Sequence, residues 1–157
     1  MIGQVEEENT KFFITGSAEE TAKVGFDLAQ DLKNKKEKIV VIVLLSGDLG
    51  SGKTTFTQGF ARGLGINSYI KSPTFIILQN YEIEGNENFK KFVHVDAYRL
   101  ENGQELRKIG VEKILADPEK IVLIEWPENV SEILPKEVIK VSLKHLDNNK
   151  REIVIRV

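Results

Sequence analysis

The 157-residue sequence contains no cysteine, only two histidines and one tryptophan, and carries a net charge of only −2. Without cysteine, neither a disulfide nor a thiolate-bound metal can form. The small net charge gives no reason to expect broad binding to nucleic acid or to a membrane. No apolar run approaches the length of a membrane span, and residues 1–8 are acidic and lack the regions of a signal peptide. We therefore expect a soluble, cytoplasmic protein.

A chain of 157 residues has the usual length of one domain, so we expect a single domain over residues 1–157. Ser17 and Glu20 form a capping box for a first helix, whose apolar face would include Ala22, Phe26, Ala29 and Leu32. Two further helices are predicted over residues 55–64 and 104–116, the latter broken near Gly110. Strands are predicted over residues 11–15, 39–45, 74–83, 90–95, 120–125, 137–143 and 152–157. This order indicates a three-layer α/β fold with a central mixed, mostly parallel sheet and an antiparallel portion.

One motif dominates the sequence. Residues 47–54 read Gly-Asp-Leu-Gly-Ser-Gly-Lys-Thr, which fits the phosphate-binding loop GxxxxGK(S/T). Its glycines let the backbone approach phosphates closely, Lys53 can reach the β- and γ-phosphates, and the Thr54 hydroxyl can bind Mg²⁺. The motif follows a β-branched apolar run and precedes a helical pattern, which is the context that a phosphate loop requires.

Several polar residues stand at predicted strand ends, where ligands bind in such sheets. Glu125 ends an apolar strand and is the preferred second magnesium ligand. Asp96 either orients a water molecule, reaches the metal through one, or caps the next helix. Arg99 either neutralises phosphate charge or forms a structural ion pair, and Thr74 is either a γ-phosphate sensor or an ordinary strand threonine.

His94 and Trp126 adjoin these acids. With one other histidine in the chain and no cysteine, a zinc site is not expected, and we interpret His94 as packed or hydrogen-bonded rather than catalytic. Core packing is the default role of Trp126, but its position directly after Glu125 suggests a place beside the site.

Four segments in this order resemble the TsaE (YjeE) family, the small bacterial ATPases of tRNA threonylcarbamoyladenosine synthesis. They are the phosphate loop, Lys-Ser-Pro-Thr-Phe from Lys71, His-Val-Asp-Ala-Tyr-Arg-Leu from His94, and Ile-Glu-Trp-Pro-Glu from Ile124. The resemblance extends over about residues 17–135. It implies a P-loop NTPase fold and a modest ATPase that works with the partner proteins TsaB and TsaD. Contact with tRNA would then be indirect, through that complex.

The resemblance also implies roles for individual residues. Thr54 and Glu125 would hold Mg²⁺, and Asp96 would be catalytic or bind a metal-bound water. Thr74 would belong to the first switch segment, and Trp126 would flank the second. Adenine contacts would come from Thr15 to Glu19 and from Arg151. ATP would be bound mainly by the loop residues Leu49, Gly50, Ser51, Gly52, Lys53, Thr54 and Thr55.

Three other functions remain open from the residues alone. A nucleoside or nucleotide kinase also joins a phosphate loop to a strand-end acid and an arginine, but an arginine-rich lid is not evident. A GTPase would need Asn-Lys-x-Asp, whereas Asn148-Asn149-Lys150-Arg151 lacks the acid. A nucleotide-gated binding module would bind ATP without turnover.

Overall fold

The computed structural model describes residues 9–157 and the backbone of residues 5–7. Its strands are β1 (Val5–Glu7), β2 (Thr10–Thr15), β3 (Val41–Ser46), β4 (Leu78–Glu82), β5 (Lys91–Asp96), β6 (Lys120–Glu125), β7 (Ile139–His145) and β8 (Arg151–Arg156). Its helices are α1 (Ala18–Lys33), α2 (Lys53–Gly63), α3 (Gln104–Lys108) and α4 (Val111–Leu115), and a 3₁₀ helix covers Pro127–Ile133. None of the helices in the described ranges is both long and apolar enough to cross a membrane.

The strands form one mixed sheet in the order β1-β2-β8-β7-β3-β6-β5-β4. Its middle is parallel, because β3 pairs with β7 and β6, and β6 pairs with β5. The pairings on both sides of this middle are antiparallel. The parallel strands therefore end at one common edge of the sheet, as the sequence pattern predicted.

The sheet lies between two helical layers, which confirms the three-layer fold. Val41, Val43 and Leu45 of β3 pack into the cluster that contains α1 and α2. Ile42 and Leu44 of the same strand pack into a second cluster with α3, α4 and the 3₁₀ helix. Alternate residues of β3 are thus buried on opposite faces, which explains its continuous apolar sequence.

Glycines allow α1 and α2 to pack with their backbones in close contact. A Cβ atom built on Gly59 of α2 would lie 1.9 Å from the carbonyl oxygen of Ala22, and one on Gly25 of α1 would lie 2.3 Å from that of Phe56. The face of α1 that this contact buries differs from the prediction, because Phe26 is 38% exposed. The buried residues of α1 are instead Thr21, Ala22, Val24, Gly25, Leu28, Ala29 and Leu32.

The start of α1 is capped largely as predicted. The Ser17 Oγ atom accepts a hydrogen bond from the Glu20 N–H at 3.1 Å. The Glu20 carboxylate accepts from the N–H of Gly16 at 2.6 Å, one residue before the N-cap that a standard capping box would use. Both contacts fix the chain direction where β2 turns into the helix.

One predicted strand was wrong at its beginning. Residues 74–77 form a turn, and β4 starts only at Leu78. The carbonyl oxygen of Pro73 accepts hydrogen bonds from the N–H groups of Ile76 and Ile77, and Ile77 has a φ of +71°. This turn moves Thr74 off the sheet and towards the strand ends.

Candidate functional site

Two carboxylates lie side by side where the central parallel strands end. In the strand register, Glu125 of β6 is opposite both Leu45 of β3 and Asp96 of β5. Because register partners in a parallel sheet point to the same face, both acids lie on the side covered by α2. Their exposed fractions are only 3% for Glu125 and 5% for Asp96. Buried acids of this kind need a polar or charged partner.

The phosphate loop supplies the opposite wall of the site. It follows β3, and its last two residues, Lys53 and Thr54, begin α2. Gly50 and Gly52 have φ angles of +76° and +104°, which only glycine adopts without strain. The first N–H groups of α2 have no acceptor within the helix and lie at the positive end of its dipole. This arrangement is suited to an anion.

Lys53 reaches across the loop. Its Nζ atom donates to the carbonyl oxygen of Asp48 at 2.9 Å and to that of Gly47, and lies 4.4 Å from the centre of the Trp126 ring. Burial lowers the pKa of this ammonium below its ordinary value, although Glu125 and other nearby carboxylates oppose that change. A desolvated ammonium has an incomplete solvation shell, and the oxygen atoms of a phosphate can complete it.

The acids and the loop enclose a cavity of about 480 Å³. Most of the predicted site residues line it. They are Leu49, Gly50, Gly52, Lys53, Thr54, Thr55, Thr74, Asp96, Glu125, Trp126 and Arg151, joined by Ser72 and Tyr98. The cavity is large enough for a nucleotide-sized ligand.

Asp96 binds the segment of residues 72–77, which contains the turn before β4, to the end of the sheet. Its Oδ2 atom accepts hydrogen bonds from the hydroxyl of Thr74 at 3.0 Å and from that of Ser72. Its Oδ1 atom accepts from the N–H of Tyr98 at 2.9 Å. Both carboxylate oxygens of Asp96 therefore accept hydrogen bonds. Thr74 lies outside β4, so the alternative of an ordinary strand threonine is excluded.

Glu125 has a buried partner of its own. The Nε2 atom of His94 lies 3.0 Å from Glu125 Oε2, and the Ser72 hydroxyl lies 3.4 Å from the same oxygen. His94 is 1% exposed, in agreement with the predicted packed and hydrogen-bonded histidine. The contact could not have been assigned from sequence, because it joins two strands.

Trp126 lines the cavity and also packs against the core cluster that contains α3 and α4. Its backbone is left-handed, with φ +57° and ψ +48°, and its N–H donates to the carbonyl oxygen of Leu45 at 3.3 Å. The ring packs against Tyr98 with 5.1 Å between centroids. Trp126 and Tyr98 thus form an aromatic wall next to Lys53.

A smaller cavity of about 200 Å³ adjoins the first. Gly52, Thr55 and Arg151 line both cavities, and Ser17 and Thr21 are on the far side of the smaller one. The start of α1 and Arg151 therefore meet beside the phosphate loop.

Four predicted residues do not line the main cavity, namely Thr15, Glu19, Ser51 and Arg99. Thr15 is buried, with its hydroxyl 2.7 Å from that of Thr21, and Glu19 is exposed on the first turn of α1. Ser51 is buried in the loop, where its N–H donates to the Asp48 carbonyl. The Arg99 guanidinium lies 4.4 Å from the centre of the exposed Phe75 ring, and this cation–π contact was not among the predicted alternatives.

Two residues that line the main cavity, Ser72 and Tyr98, were not predicted as site residues. Ser72 precedes Pro73 in a recognised segment, but only the fold brings its hydroxyl to Asp96 and Glu125. Tyr98 stands two residues after Asp96, a spacing that alone gave no reason to place it in a cavity.

The oxygen atoms that line the cavity suit Mg²⁺, an ion that is bound by few protein ligands together with water and phosphate oxygens. Among the described residues, no group of three or more Asp, Glu or His side chains could hold a metal ion. The exposed Thr54 and the Glu125 and Asp96 carboxylates all line one cavity. Mg²⁺ commonly takes one or two such ligands and completes its shell with water and phosphate oxygens, so these residues fit that ion.

A phosphate loop between a central parallel strand and a helix, in a three-layer α/β fold, defines a P-loop protein, a class whose fold implies nucleotide binding. The family model described as "Threonylcarbamoyl adenosine biosynthesis protein TsaE" matches residues 15–153. The chain belongs to the TsaE family.

Individual relatives agree with this membership. The chain is 43% identical to the tRNA threonylcarbamoyladenosine biosynthesis protein TsaE of Rickettsia conorii over 136 residues, which are 86% of this chain and 71% of that protein. It is 40% identical to the TsaE protein of Rickettsia bellii over 88% of this chain and 89% of that one. Its fold is similar to the crystal structure of Bacillus subtilis YdiB, with a TM-score of 0.70, 28% identity, and coverage of 99% and 86% of the two chains.

Proposed function

We propose that this protein binds and hydrolyses ATP with Mg²⁺, and that this cycle supports the formation of threonylcarbamoyladenosine in tRNA by the partner proteins TsaB and TsaD. The observation that carries the ATPase proposal is the placement of Asp96 and Glu125 next to each other, facing Lys53 and Thr54 across one cavity. The family and the relatives named above support the tRNA pathway.

In this proposal the phosphate loop and Lys53 bind the phosphates of ATP. The backbone N–H groups at the start of α2 provide donors, and Lys53 Nζ exchanges its carbonyl acceptors for phosphate oxygens. Thr54 and Glu125 hold Mg²⁺, which neutralises charge on the phosphate oxygens when it is bound. The smaller cavity next to Thr55 and Arg151 takes the nucleoside part of ATP.

Asp96 is the residue that we assign to the attacking water. Water attacks the γ-phosphorus, the bond from that phosphorus to the β,γ-bridging oxygen breaks, and ADP and phosphate form. Asp96 lies beside Glu125 and uses Oδ2 to hold the Ser72 and Thr74 hydroxyls. A water in the cavity that enters this network would be oriented, and its proton could pass to the carboxylate.

The turn of residues 72–77 offers a route from the nucleotide to a partner protein. Its inner side is bonded to Asp96 through Ser72 and Thr74, while Phe75 and Ile76 are 84% and 68% exposed on its outer side. A change in the acids during hydrolysis would therefore move an exposed apolar surface, which is a common device of nucleotide switches. The net charge of −2 favours contact with a protein complex over direct binding of tRNA.

The function is tested by reconstituting tRNA modification with purified TsaB and TsaD, tRNA, ATP and the threonylcarbamoyl donor. We expect multiple turnovers only when this chain is added. Lys53→Ala should lower product formation to the level without the chain, because the phosphates lose their lysine contact. Arg62→Ala changes an exposed residue near the opposite end of α2 and should leave the yield unchanged. Undiminished modification with a folded Lys53→Ala protein would contradict the proposal.

A further inference from the structure

His94 is a buried residue with no role in the reaction proposed above. It lies on β5 two residues before Asp96, on the same face of the sheet. It is 1% exposed, and its ring stacks on Phe92 with 6.2 Å between centroids and an angle of 12°. Burying a polar side chain costs free energy unless it forms a hydrogen bond, so its partners are informative.

The only polar partner of this ring in the described part of the chain is Glu125. His94 Nε2 lies 3.0 Å from Glu125 Oε2, and Nδ1 has no hydrogen-bond partner among the described residues. When the Glu125 carboxylate is ionised it can only accept, and His94 Nε2 is then the donor of this bond. Among the described residues, the Glu125 contact is therefore the one hydrogen bond that orients the imidazole, and Phe92 lies parallel to the ring.

The hydrogen bonds that described residues make to the Glu125 carboxylate are all on one oxygen. Oε2 accepts from His94 and has the Ser72 hydroxyl 3.4 Å away, whereas no hydrogen bond to Oε1 is present in the described chain. The same carboxylate lines the cavity next to Lys53 and Thr54. Fixing Oε2 towards the sheet therefore sets the direction in which Oε1 can point.

We propose that His94 is a positioning residue that holds the Glu125 carboxylate so that Oε1 is presented to the magnesium of Mg-ATP. The inference rests on the proposed function, in which Glu125 is a magnesium ligand. Residues that orient a metal ligand in this way typically change metal affinity by about 10- to 100-fold when they are replaced. Because His94 does not line the cavity, its loss should leave the metal-independent contacts of ATP intact.

The test separates metal binding from nucleotide binding. ATP affinity is measured by calorimetry in EDTA and in Mg²⁺. Mg²⁺ is then titrated into the ATP-bound protein. The fluorescence emission of Trp126, the single tryptophan of the chain, is a second readout of this titration. His94→Leu should require about 10- to 100-fold more Mg²⁺ at the midpoint and keep its ATP affinity in EDTA. His94→Gln, which can still donate an N–H to Glu125, should recover most of the difference.

Each outcome decides between explanations. An unchanged Mg²⁺ midpoint in His94→Leu would overturn the inference, and so would an equal loss of ATP affinity with and without Mg²⁺, since that is the result of a purely structural role. If the leucine variant does not fold, His94→Gln is compared with His94→Asn, whose shorter amide cannot reach Glu125. A wild-type protein without Mg²⁺-dependent ATP binding would instead contradict the proposed function itself.

Discussion

Glu125→Gln should reduce Mg²⁺-dependent ATP hydrolysis by about 100-fold or more, the usual effect of removing one preorganised charge-stabilising group. The substitution keeps the shape of the side chain but removes the negative charge that we assign to the metal. Phosphate release at saturating ATP and Mg²⁺ is the measurement. The loss should not be recovered by raising the ATP concentration.

Glu105→Gln is the matched control for this variant. Glu105 is an exposed acid on α3, which packs on the opposite face of the sheet, and does not line the main cavity. Its replacement changes the net charge by the same amount and should leave turnover near the wild-type value. Wild-type turnover in Glu125→Gln would remove Glu125 from the metal site.

Gly59→Ala should lower the free energy of unfolding by about 1–3 kcal/mol, the usual range for overpacking a tight contact. The added methyl group would lie 1.9 Å from the Ala22 carbonyl oxygen, so α1 and α2 must move apart. In an exposed helix interior the same substitution would stabilise by about 1 kcal/mol. The sign of the change therefore reports the close packing of the two helices.

Chemical denaturation of the variant measures this effect, and Gly16→Ala is its control. A Cβ on Gly16 would meet nothing closer than 3.7 Å, from the Glu20 carboxylate, so its stability should change little. A Gly59→Ala protein as stable as the wild type would contradict the packing of α1 on α2 described above.

The central strands were predictable because burial on both faces leaves a strong pattern. β6 has the predicted bounds, residues 120–125, and β3 differs from its prediction by one or two residues at each end. Helix α1 was located by its capping box. Its buried face was partly mispredicted, because glycines bring the two backbones together: the Phe26 backbone packs against Gly63, while the Phe26 side chain stays 38% exposed.

The turn before β4 could not be predicted from local preferences. A β-branched residue such as Ile77 strongly disfavours a positive φ, and the apolar run from Phe75 is typical of a strand. Ile77 is held in place by long-range contacts, since its carbonyl oxygen accepts the Asp96 N–H at 2.9 Å and Thr74 bonds to the Asp96 side chain. These partners are about twenty residues away in sequence.

The site residues also fall into a group that the sequence predicts and a group that it does not. The phosphate loop and the strand-end acids were found from sequence because motif spacing and strand ends determine their positions. Ser72, Tyr98 and the His94 contact to Glu125 depend on how neighbouring strands are aligned, and a single sequence carries no signal for that alignment. The contact of Arg99 with Phe75 could not be predicted for the same reason, since it depends on the turn.

The central claim, that this cavity is an ATPase site serving a protein complex, is tested most directly by phosphate release. The rate is measured with ATP and with GTP, for this chain alone and with the TsaB–TsaD pair. We predict a low rate that prefers ATP and rises when the pair is added. Equal turnover of GTP, transfer of the phosphate to a nucleoside, or ATP binding without any phosphate release in the presence of the pair would contradict the account.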